Sequence, residues 1–449
     1  MNKTHISCIM LLILLVSLAN TSPAKAQGQT YYVSTSGSDS SDGSNAHPWL
    51  TIQHGADKLK PGDTLLINPG IYKESGIIVS NGGTAAAAVT IKANGSGVII
   101  DNSGSGMHQD GLLITYANYV VVDGLTFQNS KRAGMRIDNS DHVTVRNSTF
   151  ANNETWGLFT DFSNYTTVED SESYGAKLQH GIYISNSSDY PTISHNRLHD
   201  NADCGLHMNG DISMGGDGII SYGLVEGNII YNNGVSGGSG INMDGVTDTI
   251  VRNNLLYNNH ASGISAYQID GGSGSQRDKI YNNSILMPSD GRWDINIPEP
   301  DTSLPNPGNT YNKVYNNILY NAHPYRGVIT VGPSDLAGFN SDYNVVMSRF
   351  STDDGDSILS LTTWQSMGYD RHSLIATPYQ LFINAGKNDY HLSPGSPAVD
   401  AGTTLSDVPN DLEGALRPSG LAYDIGAYEY FTPLLNLPDK VYLPGIFIP

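Results

Sequence analysis

The sequence predicts an all-β fold, a right-handed parallel β-helix in which each coil stacks on the one before it. Three observations support this prediction: a repeat of 23 to 34 residues, short strands with alternating apolar residues, and asparagines at one repeated turn. We expect an N-terminal helical cap and an irregular C-terminal segment. The predicted divisions are a signal peptide at 1–26, the β-helix with its cap at 27–346, a capping segment packed on the last coils at 347–430, and an apolar tail at 431–449.

One apolar position recurs through the middle of the chain. Its spacings of 23, 23, 25, 32, 26, 29 and 34 residues separate Val122, Val145, Val168, Ile193, Val225, Val251, Ile280 and Val314. A single unit buries too few side chains to fold alone, so stacked neighbours must supply the core.

A column of asparagines accompanies this apolar position. Three residues after most of its members stand Asn196, Asn228, Asn254, Asn283 and Asn317. Coils stacked about 4.8 Å apart would let each amide bond to the coils above and below. We therefore interpret the asparagines as structural.

The N-terminal part of the chain carries two signals. Residues 1–26 resemble a secretory signal peptide, because Lys3 precedes a short apolar run at 9–16 and Ala24-Lys25-Ala26 has a cleavage-site form. A retained N-terminal anchor is the alternative. We expect a secreted or cell-surface monomer, with no membrane insertion after signal cleavage. The segment Thr51 to Lys60 predicts an amphipathic helix that covers the first coil's open edge.

Charge and cysteine content restrict the partners. The net charge is -20, which disfavours nucleic acid as a partner and is compatible with bound cations. Only Cys204 remains after signal cleavage, so an internal disulfide is excluded and packing must stabilise the fold.

A functional face is predicted from the strands that follow a recurring glycine. The first and third residues after it are mostly apolar and point inward, so the second and fourth point outward. The outward residues are aromatic, basic and acidic, as in many sugar-binding surfaces. We expect an exposed stripe of Phe159, Tyr183, His207, Asn242 and Tyr267. Longer connections at 211–222, 268–278 and 298–312 would wall this face, although a tolerant corner would also accumulate insertions. The predicted substrate-binding residues are Arg136, Trp156, Phe159, Asn242 and Tyr267.

The same face could carry proton-transfer chemistry. Removal of the proton next to a uronate carboxylate needs a base and a cation that holds the developing charge. His207 is the leading proton-transfer candidate, and the predicted catalytic set is His207, Lys177, His180 and Tyr183. Calcium is the predicted cofactor, held by Asn209, Asp211, Asp244 and Asp161. Turn or ladder chemistry is the alternative reading of these acidic and amide residues.

Two longer segments resemble known proteins. The run YYVSTSGSDSSDG…PWLTIQ…PGDTLLINPGIY, from Tyr31 to Tyr72, is similar to the opening of many secreted β-helix proteins. The run SPGSPAVDAG…DLEGALRPSGLAYDIGAYEY, from Ser393 to Tyr430, is similar to an end module found on many of them. With the coils, this resembles bacterial right-handed parallel β-helix proteins of the pectate-lyase-like superfamily, which include pectate, chondroitinase B and alginate type lyases.

This resemblance implies an extracellular polysaccharide as the partner. The leading hypothesis is a polysaccharide lyase that cleaves an acidic glycan by β-elimination. A glycoside hydrolase with a carboxylate pair on the same face is one alternative, with Asp211 and Asp244, or Asp138 and Asp161, as candidate pairs. A non-catalytic carbohydrate-binding surface protein is the other.

Overall fold

The chain forms a β-helix of three long parallel sheets, which we call A, B and C. The computed structural model describes residues 28–74, 76–104 and 109–431. The predicted signal peptide and the tail from residue 432 onward lie outside these residues. Within them, sheets A and B have 12 strands each and sheet C has 11, and each coil passes from A to B to C. The predicted all-β parallel β-helix is confirmed.

The strands are short, because each one spans only one side of a coil. Sheet A comprises Thr30–Val33, Thr64–Ile67, Val89–Ala93, Val120–Asp123, Thr144–Arg146, Thr167–Glu169, Thr192–Ser194, Leu224–Glu226, Ile250–Arg252, Lys279–Tyr281, Lys313–Tyr315 and Asn340–Asp342. Sheet B comprises Gly70–Tyr72, Val98–Asp101, Thr126–Gln128, Thr149–Ala151, Glu172–Tyr174, Arg197–His199, Ile229–Tyr231, Leu255–Tyr257, Ser284–Met287, Ile318–Asn321, Val345–Val346 and Leu374–Ile375. Sheet C comprises Ile77–Val79, Leu112–Thr115, Ala133–Asp138, Trp156–Asp161, Ile182–Ser185, Leu206–Asn209, Ser239–Asp244, Ser262–Tyr267, Ile295–Ile297, Ile329–Val331 and Phe350–Ser351.

The remaining elements are small. Two further strand pairs are Ile220–Ser221 with Val246–Thr247, which is parallel, and Phe382–Asn384 with Asp389–Leu392, which is antiparallel. The α-helices are Ile52–Ala56, Leu361–Ser366 and Pro378–Leu381, and the 3-10 helices are Ile212–Met214, Pro333–Leu336 and Ala385–Lys387.

The core consists of columns of like residues, as the repeat predicted. In sheet A, Val145 pairs with Val168, Val168 with Ile193, Ile193 with Val225, and Val225 with Val251. All five side chains are fully buried. Each such burial stabilises the fold by about 1.5–3 kcal/mol relative to an exposed side chain.

The asparagine column forms a hydrogen-bonded ladder at the turn between sheets A and B. The Asn228 side-chain nitrogen donates to the Asn254 side-chain oxygen at 2.9 Å, and Asn254 donates to Asn283 at the same distance. Each of these amides also donates to a backbone carbonyl of the preceding coil, as Asn254 does to Val225 at 3.0 Å. The structural interpretation of this column is therefore correct.

The N-terminal helix closes the open edge of sheet C. It is shorter than predicted and spans Ile52–Ala56, with Thr51 as its N-cap. The Gln53 side chain pairs with both backbone groups of Ile78, accepting from its N–H at 2.7 Å and donating to its carbonyl at 3.0 Å. These bonds satisfy an edge strand that would otherwise be free to pair with another chain.

The C-terminal segment has two parts. Helix Leu361–Ser366 packs at the end of the last coil, where the fully buried Trp364 stacks on Phe350 with ring centroids 5.0 Å apart. Residues 374–431 then run back along sheet B, where Asn282 and Asn316 of the coils bond to this segment's backbone. Sheet B is therefore covered in the later coils, whereas the outer face of sheet C carries the cleft described below.

Candidate active site

The outward residues of sheet C form one continuous column. Strand pairing aligns them across eight consecutive coils, because parallel strands in register place like positions side by side. We call the following residues the outer column: Arg136, Phe159, Tyr183, His207, Asn242, Ser265, Asn296 and Thr330.

Stacked loops stand beside this column, at the predicted corner between sheets C and A. The Ile212 N–H donates to the Asp270 carbonyl at 2.9 Å, and the Gly272 N–H donates to the Gly218 carbonyl at 2.7 Å. The Gln268 side chain continues the contact to the next loop by donating to the Pro305 carbonyl at 2.7 Å. The three long connections therefore form a wall on one side of sheet C.

A cavity of about 450 Å³ opens between this wall and the later coils of sheet C. Two arginines line it, Arg292 on the connection before Ile295–Ile297 and Arg326 on the connection before Ile329–Val331. Within the described residues, no carboxylate lies within 4.0 Å of either guanidinium. The other lining residues are Gly238, Ser239, Asn242, Ser262, Ser265, Tyr267, Ile269, Asn296, Pro298 and Asp354.

Three predicted residues form a hydrogen-bonded chain at one side of this cavity. The Asn242 side-chain nitrogen lies 3.0 Å from Nδ1 of His207 and donates to the phenolic oxygen of Tyr267 at 2.6 Å. Because the amide is a donor, the His207 Nδ1 is the acceptor and its Nε2 carries the proton. Burial raises the pKa of the Tyr267 phenol well above its ordinary value, so it stays protonated at neutral pH.

His207 itself is not exposed, contrary to prediction. Only 9% of the residue is accessible, because the His180 ring stacks on it at a centroid distance of 4.4 Å and Tyr183 packs edge-on at 4.7 Å. Burial lowers the pKa of His207 to about 3, and it also lowers that of His180. Both imidazoles are therefore neutral at neutral pH, and the Nδ1 of His180 accepts the Cys204 N–H at 3.3 Å.

An aromatic cluster occupies the earlier coils of the outer column. Trp156 stacks on Phe159 with centroids 4.6 Å apart, and Tyr183 packs against Phe159 at 5.2 Å. Trp156 and Tyr183 are half-buried, but Phe159 is only 9% exposed and lies beneath them, so the predicted exposed stripe is partly wrong. The Arg136 guanidinium lies 5.4 Å from the Phe159 ring centroid and forms an ion pair with Asp161 at 2.7 Å.

Lys177 lies apart from the other predicted catalytic residues. It is exposed and lines a separate depression of about 420 Å³ at the corner between sheets B and C, together with Asp200 and Val235. The prediction that Lys177 is catalytic together with His207 is therefore not supported.

The predicted calcium ligands do not converge. Both oxygens of Asp244 accept backbone N–H groups, from Ile269 at 2.9 Å, Asp270 at 3.0 Å and Gly271 at 3.1 Å. The carboxylate is consumed in anchoring the wall loop, so it does not fit an ion that needs six or more free oxygens.

Asp161 and Asp211 also have protein partners. Asp161 accepts from Arg136 and, at 2.6 Å, from Asn186. Asp211 accepts from Ser213. The Asn209 amide nitrogen donates to the Tyr183 hydroxyl at 3.1 Å, whereas its buried oxygen has no hydrogen-bond partner among the described residues.

One His/Cys group comes close to a metal-ligand arrangement. The group consists of His180, Cys204 and His207, whose ligand atoms lie within 4.8 Å of one another. In the described part of the chain it is the one such group of three or more His, Cys, Asp or Glu side chains. The two imidazole planes are stacked at an angle of 5°. An imidazole nitrogen binds a metal through a lone pair that lies in the plane of the ring. Since the two rings lie in parallel planes, their lone pairs cannot point at one shared ion. The cluster therefore fits a packing role.

The site residues that sequence reasoning missed are Arg292, Arg326, Asn296 and Asp354. Asn296 could have been found, because it follows Ser265 in the outer column. The two arginines lie on connections, where the repeat gives no positional signal.

Comparisons with known proteins agree with this fold. Residues 31–177 match a family model described as Pel9A-like, right handed beta helix region. The structure of the pectate lyase Pel9A superposes with a TM-score of 0.63 at 17% identity, covering 90% of this chain and 97% of that one. An alginate lyase from Paenibacillus sp. str. FPU-7 gives 0.52 at 18% identity, covering 68% and 98%. XylC in complex with xylose gives 0.53 at 11% identity, covering 89% and 98%.

These similarities confirm a right-handed β-helix of the pectate-lyase-like type. At such identities they show the fold alone. No match was found among curated proteins. None of the helices in the described ranges has the length and hydrophobicity needed to cross a bilayer.

Proposed function

We propose that this protein cleaves an acidic, uronate-containing polysaccharide by β-elimination in the cleft above sheet C. The observation that carries the proposal is the pair Arg292 and Arg326, which line the cavity and have no carboxylate partner among the described residues. The fold, shared with a pectate lyase and an alginate lyase, is compatible with this activity.

The arginine pair is notable because the chain as a whole is acidic. The net charge is -20, so the surface would repel a polyanion unless a local cationic site reversed the field. Arg292 and Arg326 stand three residues before Ile295 and Ile329, which pair in adjacent coils of sheet C. A guanidinium binds a carboxylate through two parallel hydrogen bonds, so this pair suits a uronate better than a neutral sugar.

The residues beside the arginines suit an elimination. In that reaction Asp354, the one carboxylate among the residues lining the cavity, would take the C5 proton. The C4–O bond breaks, a C4–C5 double bond forms, and the departing oxygen gains a proton. Carboxylate binding by the arginines would stabilise the charge that develops when the C5 proton leaves. Tyr267 would donate the last proton, since its oxygen already accepts from Asn242 and its pKa is raised.

His207 takes a different role in this proposal from the one first predicted. Its Nδ1 is occupied by the Asn242 amide, and its pKa is lowered by burial, so it would be a weak base. We assign it to positioning Asn242, which in turn orients Tyr267.

The two alternatives have less support. A glycoside hydrolase needs two carboxylates that flank the bond, but Asp354 is the one carboxylate among the residues lining the cavity. The Asp138 and Asp161 pair lies on adjacent coils, and Arg136 lies within 4.0 Å of both, so neither is placed as a free proton donor. A non-catalytic sugar-binding protein would use the same cleft without a reaction.

The remaining expectations belong to the same proposal. We propose a secreted or cell-surface monomer whose partner is an extracellular polysaccharide. The segment 347–430 would serve as its C-terminal cap, and nucleic acid is not expected as a partner because the chain is acidic. No step of the proposed reaction uses calcium.

A glycan screen with two simultaneous readouts tests the proposal. Purified protein is incubated with acidic and neutral polysaccharides, while ultraviolet absorbance of the unsaturated product and the concentration of new reducing ends are followed. A lyase raises both signals in equal amounts on an acidic glycan. New reducing ends without absorbance would indicate a hydrolase, and binding without either signal would indicate a non-catalytic binder.

A further inference from the structure

The outer column connects the arginine pair to the aromatic cluster without leaving sheet C. Five coil steps separate Phe159 from Asn296, through residues that pair directly from strand to strand. At a strand spacing of about 4.8 Å, this corresponds to about 24 Å. A single sugar cannot span that distance, whereas a polysaccharide lying along the column would contact both ends.

Trp156 is held as a fixed surface at the far end. Its indole nitrogen donates to the Gln179 side-chain oxygen at 2.7 Å, and its ring stacks on Phe159 at an interplanar angle of 17°. Phe159 covers one face of the ring, Gln179 holds its edge, and Tyr183 packs at a tilt with its centroid 5.7 Å away, while the residue stays partly exposed. A preordered aromatic ring of this kind suits stacking against the apolar face of a sugar, because little side-chain entropy is lost on binding.

The charges at the two ends differ. Beside Trp156, Arg136 is paired with Asp161 at 2.7 Å and Arg132 is paired with Asp110. These cations are already neutralised by carboxylates of the protein. The two guanidiniums nearest Trp156 are therefore occupied by carboxylates, in contrast to those of Arg292 and Arg326.

We infer that the cleft recognises a polysaccharide at two separated positions, a carboxylated sugar at Arg292 and Arg326 and a sugar stacked on Trp156 about five coils away. This rests on the proposed function and deepens it. The protein then acts within long chains, because a short oligosaccharide held by the arginines does not reach Trp156. The sugar at Trp156 needs an apolar ring face.

Replacing Trp156 tests this inference. The variants Trp156→Ala and Trp156→Leu are compared with wild type on a long acidic polymer and on its disaccharide and trisaccharide. We expect KM for the polymer to rise about tenfold with kcat unchanged, because stacking contributes equally in the ground and transition states. Activity on the short substrates should not change, and Trp156→Phe should restore most of the loss on the polymer.

Controls separate binding from folding and from the proposed reaction itself. Tyr379→Ala removes an aromatic ring that is 94% exposed and lies outside the cleft, so it should leave both substrates unaffected. Thermal unfolding of each variant identifies a folding defect. The inference would be overturned if both Trp156 variants had the same kinetic constants as wild type on the polymer, or if they lost equal activity on long and short substrates. Either result would leave the lyase proposal in place. Absence of unsaturated product from wild type on every acidic polymer would instead overturn the proposed function.

Discussion

The side-chain nitrogen of Asn242 donates a hydrogen bond to the phenolic oxygen of Tyr267 across 2.6 Å. Because that bond occupies a lone pair of the oxygen, the hydroxyl hydrogen of Tyr267 remains available for another acceptor. The same amide nitrogen lies 3.0 Å from Nδ1 of His207, so three residues from three consecutive coils share one network. The proposed mechanism places the proton donor at the end of this network.

Removal of the Tyr267 hydroxyl should abolish most activity. Tyr267→Phe retains the ring but cannot donate a proton, so we expect kcat to fall roughly 10²-fold or more. Affinity for the polysaccharide should change little, because the arginines remain. The control is Tyr222→Phe, which alters an exposed tyrosine outside the cavity. Unchanged kcat in Tyr267→Phe would remove this residue from the mechanism.

The pH profile gives an independent test of the same role. A proton donor is active in its protonated form, and burial raises the pKa of Tyr267 above its ordinary value of about 10. Because Tyr267 stays protonated below about pH 10, its deprotonation should not lower activity in that range. The measurement is kcat/KM from pH 6 to the alkaline limit of stability. An alkaline limb near neutrality would contradict the assignment.

Buried neutral His207 should make the fold sensitive to acid. Its pKa is about 3 in the folded protein and near 6.5 when unfolded, so the unfolded chain binds more protons between these values. The stability that depends on neutral His207 is thus present above about pH 6.5 and is lost as the pH falls toward 3. One histidine can change the free energy of unfolding by at most about 1.4 kcal/mol per pH unit.

Denaturant titrations at several pH values would measure this term. We expect His207→Gln to reduce the loss of unfolding free energy between about pH 6 and pH 4, because glutamine does not titrate. The exposed His47→Gln serves as the matched control and should retain the wild-type slope. An identical slope in His207→Gln would show that His207 is protonated freely in the folded state.

Asp244 should act as an anchor for the wall loop. Asp244→Asn leaves one acceptor oxygen where the carboxylate now accepts three backbone N–H groups, so at least one amide of residues 269–271 loses its partner. We expect faster hydrogen exchange at these amides and a stability loss of about 1–3 kcal/mol. The control Asp217→Asn alters a carboxylate that accepts one backbone N–H in a neighbouring loop. If amide hydrogen exchange at residues 269–271 of Asp244→Asn were as slow as in wild type, the anchoring role would be contradicted.

The fold was predictable because its signals repeat in every coil. Val145, Val168 and their equivalents share a buried column, and each additional coil strengthens the same pattern. Asn254 could be recognised as a ladder residue for the same reason, since the amide needs an identical neighbour on each side.

The site was only partly predictable. A recurring glycine marks the sheet C strands as far as Ser262–Tyr267, but Asp294 and Val328 occupy its position before Ile295 and Ile329. The outer column was therefore not followed to Asn296, and the arginines on the preceding connections were not considered.

His207 shows a second limit of sequence reasoning. Its outward direction was predicted correctly, but its burial depends on the His180 ring from the preceding coil and on the edge of Tyr183. Alternation along a strand gives the direction of a side chain. It does not reveal which neighbouring side chains will cover it.

The most direct test of the central claim compares a native acidic polysaccharide with the same polymer after methyl esterification of its carboxyl groups, which removes the charge but keeps the C5 proton acidic. Initial rates of unsaturated product formation are measured for wild type, for the double variant Arg292→Ala with Arg326→Ala, and for the control Arg371→Ala, whose exposed guanidinium lies outside the cleft. We predict that wild type and the control prefer the native polymer, and that the double variant loses activity on it by roughly 10²-fold or more, as expected when charged hydrogen-bond partners of a carboxylate are removed. Equal cleavage of native and esterified polymer by wild type, or full activity of the double variant, would contradict the claim that these arginines bind the uronate carboxylate.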